Sequence, residues 1–183
     1  LQLYPRDRAT DLADVEVSGR VTTPDCDQVS LTVLRLGAPF TNIVQTLSYG
    51  VDGAPFTFAV PIAAELAGYD FTVQISSNGT DFVTGVATNV VAGDVLLMNG
   101  QSNAEARMFN GSANGNRSPW IRSYGTRSSV SAEVTTDTAW NLAEGDAVHG
   151  PGAVGQWGLR MGRNLVDATG IPVAIINNAE GGQ

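Results

Sequence analysis

The chain has no lysine, one cysteine and one histidine in 183 residues. Its ten basic residues are all arginine and face 18 acidic ones, for a net charge of −8. With no basic block to grip a phosphate backbone, nucleic acid is excluded as a natural partner. An anionic membrane surface would repel the chain. Cys26 alone forms no internal disulfide, and Cys and His together are too few for a structural zinc site. No apolar run approaches the length of a membrane-spanning helix, so no membrane insertion is expected. Charged residues are also scarce, at 15% against 43% hydrophobic, which favours a packed core over wholesale disorder. A neutral substrate, or one held by individual arginines, suits this balance.

What the chain does contain falls into two textures. From Val15 to Val91, short segments alternate apolar and polar residues with the period of half-buried strands. They are Val15–Val21, Val29–Arg35, Asn42–Tyr49, Phe56–Val60, Tyr69–Ser76 and Phe82–Thr88. Turn signals separate them: Thr23-Pro24-Asp25, Leu36-Gly37, Val51-Asp52-Gly53 and Ser77-Asn78-Gly79-Thr80. Ile62–Leu66 reads as a short helical turn. Phe40, Phe56, Phe58, Tyr69, Phe71 and Phe82 read as core. This spacing predicts an antiparallel, immunoglobulin-like β-sandwich over residues 1–91.

After Gly93 the pattern changes. Asp94–Met98 is nearly continuous apolar sequence, expected of a strand covered on both faces. A long polar loop from Asn110 to Gly152 follows. Gly155–Thr169 then reads as an amphipathic helix, with Trp157, Met161, Leu165 and Val166 on its apolar side and Gly170 just past its end. Val173–Asn177 is a second buried strand leading into Ala179-Glu180-Gly181-Gly182-Gln183. Strand, helix and strand form one right-handed parallel crossover. Two strands and one helix cannot cover both faces of a parallel sheet. Residues 92–183 are therefore expected to be the opening of a larger α/β domain, completed by the remainder of the same polypeptide.

Chemistry concentrates where the first of these strands ends. Asn99-Gly100-Gln101-Ser102-Asn103 lifts one serine at the carboxyl end of a buried strand, where open α/β sheets place their sites. The second strand ends in Gly181-Gly182. Parallel neighbours lie about 5 Å apart, so one end offers a hydroxyl nucleophile and the other unhindered backbone N–H groups.

The segment Gly93-Asp94-Val95 to Gly100-Gln101-Ser102-Asn103 resembles the first motif block of the sialate O-acetylesterase group, SGNH-type hydrolases related to carbohydrate acetylesterases. Gly150-Pro151-Gly152 to Gly155, the helix after it, and Gly170-Ile171-Pro172-Val173 to Gly181-Gly182 are similar to that family's second block. Ala104 and Gln183 depart from it, standing where Met and Thr are usual. The resemblance implies a three-layer, flavodoxin-like α/β domain that removes O-acetyl groups from a carbohydrate ester without metal or cofactor. It implies Ser102 as nucleophile and oxyanion donor, and Gly181 as second oxyanion donor with Gly182 as the fallback. A third donor and the general-base histidine would come from segments beyond Gln183. The substrate class suggests a periplasmic or extracellular protein.

Other polar and aromatic residues have readings of their own. Gln101, Asn103 and Glu180 are candidate substrate contacts, although Asn103 equally suits a structural role in the serine turn. His149, with Asp146 three residues before it, reads as a surface or substrate-lining residue rather than the base for Ser102. Glu105 reads as a first-turn helix charge. Arg107 and Arg122 could hold a carboxylate or sugar hydroxyls, or simply be solvated. Trp120, Tyr124 and Trp140 could stack on sugar faces. The rival reading is a non-catalytic, cell-surface carbohydrate-binding or adhesion protein with a degenerate hydrolase domain.

Overall fold

A computed structural model describes residues 1–106, 112–127, 131–145, 150–179 and Gly181. It is a β-rich structure with few helices. The chain divides into two compact units: Leu1–Ala63 with Ala67–Val91, and Ala64–Leu66 with residues 92–183.

The first unit holds β1 (Gln2–Pro5), β2 (Leu12–Val21), β3 (Gln28–Arg35), β4 (Ala38–Thr46), β5 (Ala54–Ala63), β6 (Tyr69–Ser77) and most of β7 (Thr80–Met98). Two antiparallel arrangements result: β2 pairs with β5 along its whole length, and β4, β3, β6 and β7 lie side by side in that order. Alternation sets the buried faces. Val29, Leu31 and Val33 of β3 are fully buried, as are Val60 and Ile62 of β5 within 2%. Gln45 of β4 donates to the Pro55 carbonyl of β5 at 3.2 Å, tying the two sheets together on that side. Both tight hairpins put two consecutive residues at positive φ: Leu36 and Gly37 join β3 to β4, and Asn78 and Gly79 join β6 to β7. Such turns match the right-handed twist of the strands they connect.

Three expectations need correction here. Ile62–Leu66 is no helical turn, because β5 runs on to Ala63 and the chain then bends without helical bonding. Phe40 and Phe82 are 45% and 51% exposed; Phe40 is the extra residue where the β3–β4 register shifts, and its ring meets Tyr69 edge-on. The strand placed at Asn42–Tyr49 starts earlier, at Ala38, because the two-residue turn before it leaves no slack.

The second unit continues with α1 (Ser102–Glu105), a single 3-10 turn (Ser112–Asn116), β8 (Ile121–Tyr124), β9 (Thr126–Arg127), α2 (Ser131–Thr136), β10 (Trp140–Leu142), β11 (Gly150–Pro151), α3 (Gln156–Thr169) and β12 (Val173–Asn177). The stretch read as one long loop thus carries several short elements; pieces of two to six residues are too brief for periodicity to reveal. The sheet is mixed. β12 lies parallel to the end of β7, with Val173 opposite Asp94 and Asn177 opposite Met98. It also lies parallel to β8, which is antiparallel to β10.

Helix α3 crosses one face of this sheet, with Val166 buried and Met161 and Leu165 packed against the core as expected, and Trp157 the exception. The buried positions are Gly158, Leu159, Gly162 and Val166, whereas Trp157 is 41% exposed. A Cβ on Gly162 would lie 2.8 Å from Ile121 Cγ2 and 3.0 Å from Ile175 Cδ1. Two glycines a turn apart let the helix backbone settle onto the strands, and glycine carries no hydrophobic signal. The other face is open at the end of β7, where Val95 and Leu97 are 37% and 70% exposed. The expectation of cover on both faces of Asp94–Met98 therefore does not hold among the described residues.

Candidate functional site

Strand β7 ends at Met98, and Gly100 turns the chain at φ +151°. A Cβ at Gly100 would stand 2.9 Å from the Ala104 Cβ, so the turn needs glycine for space as well as conformation. Gln101 occupies the cap position. Its carbonyl accepts from Ala104 and Glu105 N–H at 2.8 and 2.9 Å, and its side chain makes no capping bond. Ser102 opens α1 and is exposed, as are Gln101 and Asn103. The helix is one turn long because Ala106 adopts a left-handed conformation at φ 48°. Glu105 stands in the first turn of α1, as expected, and is buried there at 1% exposed.

Three contacts from elsewhere in the unit hold this short turn. The indole of Trp157 donates to the Asn103 carbonyl at 2.9 Å. The Gln156 N–H, at the start of α3, donates to the Ala106 carbonyl at 3.2 Å. Beside it Gly155 lies at φ +76°, where a Cβ would fall 2.4 Å from the Glu105 carbonyl oxygen. No side chain fits between the end of α1 and the start of α3.

The third contact is a residue that sequence reasoning placed only as a strand terminus. Asn177 is 5% exposed. Its Nδ2 donates to the Ala104 carbonyl at 3.3 Å and to the Val154 carbonyl at 3.1 Å. Its Oδ1 accepts from the Ala179 N–H at 2.9 Å. One amide thus ties together the serine turn, the entry to α3 and the segment leading to Gly181. The Asn178 N–H also donates to the Met98 carbonyl at 2.8 Å, so the ends of β7 and β12 lie side by side. A signal was available: an asparagine closing an otherwise apolar strand is costly to bury unless its amide is satisfied.

Gly181 is described as a half-buried turn residue. Gly182, Glu180, Arg107, Asp146 and His149 lie outside the described residues. Arg122 on β8 is fully buried rather than solvated; its Nε donates to the Pro119 carbonyl at 3.3 Å, and burial draws its pKa down to about 10. Tyr124 and Trp140 face each other across β8 and β10 as an edge-on pair with centroids 5.3 Å apart, and Trp120 packs against the core under α3. Among the described residues no group of three His, Cys, Asp or Glu side chains converges as a metal site would require.

No protein-family model matches the chain, and neither does any curated protein. Among solved structures, a carbohydrate acetylesterase from Xanthomonas citri matches 99% of this chain with a TM-score of 0.50 and 18% identity. The chain spans 38% of that structure's length. At this identity the likeness speaks for the fold.

Proposed function

We propose that this chain is the amino-terminal portion of a serine esterase that removes O-acetyl groups from carbohydrates. Residues 1–91 are read as an immunoglobulin-like β-sandwich module and residues 92–183 as the opening of an SGNH-type, flavodoxin-like α/β hydrolase domain. The observation that carries the reading is the exposed Ser102, held on a one-turn helix at the end of β7 and beside the end of the parallel strand β12. The fold likeness to a carbohydrate acetylesterase supports it.

In this reading Ser102 Oγ attacks the acetyl carbonyl, and its proton passes to a histidine on a segment beyond Gln183. The tetrahedral oxyanion is held by the N–H groups of Ser102 and Gly181, with Gly182 the alternative donor. The sugar hydroxyl leaves with a proton, and water then releases acetate from the acyl-serine. Each backbone donor aimed at such an oxyanion is worth about 3 kcal/mol of barrier. Gln101, Asn103 and Glu180 line the substrate side. The same further segments cover Val95 and Leu97. The substrate class fits a periplasmic or extracellular setting.

The test is acetate release from acetylated oligosaccharides by the full-length protein and its Ser102→Ala variant. Loss of the nucleophile is expected to cut kcat by at least about a thousandfold, while chain 1–183 alone turns over little or nothing. A Ser102→Ala enzyme that retains its rate would end the proposal.

A further inference from the structure

The outer face of the β4-β3-β6-β7 sheet has a composition that solvation alone does not require. A shallow groove of about 220 Å³ crosses it from β4 to β7. Three strand spacings make it roughly 14 Å wide, room for more than one sugar ring. Its floor is made of cross-strand pairs: Gln28 of β3 opposite Ser76 of β6, and Ser30 of β3 opposite Gln74. On β4, Val44 pairs with Ser30 and is 56% exposed within the groove. The groove lining contains no arginine and one carboxylate, Asp81. The outer face of the β2–β5 sheet, by contrast, exposes Asp14, Glu16 and Arg20, the ordinary charged surface of a half-buried strand.

We propose that this groove is a binding site for a neutral oligosaccharide, separate from Ser102 and independent of any catalytic role. The amides of Gln28 and Gln74 each present an acceptor oxygen and a two-proton donor, the complement of paired sugar hydroxyls. Among the described residues, the Gln28, Ser30, Gln74 and Ser76 side chains have no hydrogen-bond partner in the protein, so their capacity is open to a ligand. Val44 supplies an apolar patch for the C–H face of a sugar ring. Rival ligands fit less well. One carboxylate is too few for a divalent cation. An anionic polymer meets no cation in the groove and a chain of net charge −8. An extended peptide adds to a sheet edge, whereas this groove crosses the faces of paired strands.

Affinity electrophoresis of the full chain through gels containing xylan, mixed-linkage β-glucan or galactomannan tests the site. Retardation by at least one of these polysaccharides is expected, equal in the wild type and Ser102→Ala. The Gln28→Ala/Gln74→Ala variant, altered only at solvent-facing positions, is expected to lose at least tenfold in apparent affinity with its melting temperature unchanged. Ser30→Arg, which fills the groove, should abolish retardation by itself. No retardation by any of the three polymers overturns the proposal. So does retardation that survives both groove variants; if it is lost in Ser102→Ala instead, the sugar binds the serine cleft and only the groove assignment falls.

Discussion

The two units reach order by different means. In the first, side chains do the work: β3 buries every second residue, and Val29, Leu31 and Val33 are inaccessible while Ser30 and Thr32 between them face outward. In the second, the decisive contacts around the serine turn involve backbone. Gly155 meets a carbonyl, Gly162 lets a helix lie on a sheet, and one asparagine amide serves three main-chain groups. A unit built on alternating side chains leaves one sheet face free to vary, and a groove can be cut there at little cost. A unit built on close backbone approach fixes one loop to within hydrogen-bonding distance, which is what positioning a nucleophile demands.

The contrast breaks most visibly at Leu31. Its side chain is fully buried in the middle of β3, and Leu31→Ala is expected to destabilise the protein by about 2–5 kcal/mol. Chemical denaturation followed by tryptophan-independent circular dichroism measures it. A loss below about 1 kcal/mol would mean that the alternation of β3 does not mark the core it is taken to mark.

A middle-sized effect is expected at Asn177, and there the sharper readout is catalytic. Asn177→Ala strips the part-buried Ala104 carbonyl and the buried Val154 carbonyl of a donor, for a cost of roughly 2 kcal/mol. In the full-length protein, kcat for acetate release should fall at least tenfold with KM nearly unchanged, because the variant loosens the serine turn without touching substrate. A stability loss with kcat intact would reduce Asn177 to a structural clamp.

Legibility in the sequence followed the same division. Apart from β1, which no alternation marks, the strands of the first unit could be placed from period-2 burial and from Leu36-Gly37 and Asn78-Gly79, because both signals are local. Strand β12, the ends of α3 and the parallel pairing of β12 with β7 were also readable, from a short apolar run, Gly155 and Gly170. The contact face of α3 was legible only in part. Met161, Leu165 and Val166 lie against the core, but hydropathy ranks Trp157 above Gly158 and Gly162, while packing against Ile121 and Ile175 favours the residue with no side chain. The role of Asn177 was not legible, because it depends on three carbonyl and amide groups far from it along the chain. Ser102 is exposed at the end of β7, and its role as nucleophile rests on the resemblance of the Gly-Gln-Ser-Asn segment. The direction of its neighbouring donors was never a matter of local sequence.

The finest test asks whether α3 really lies as close to the sheet as its glycines imply, and it turns on a sign. Replacing a helical glycine by alanine normally gains up to about 1 kcal/mol from backbone entropy. At Gly158 the new methyl would stand 3.1 Å from Met98 Sδ and 3.4 Å from Met98 Cε. A thioether can swing aside, so Gly158→Ala should be neutral or slightly stabilising. At Gly162 the obstacles are Ile121 Cγ2 at 2.8 Å and Ile175 Cδ1 at 3.0 Å. Ile121 Cγ2 is fixed to a branched, fully buried side chain with nowhere to go, and overpacking costs about 1–3 kcal/mol. Gly162→Ala should therefore lower stability despite its better helix propensity. Thermal melts of the two variants side by side decide the matter. Opposite signs place the close approach at Gly162, whereas a gain at both positions would show a helix riding higher on the sheet than these distances allow.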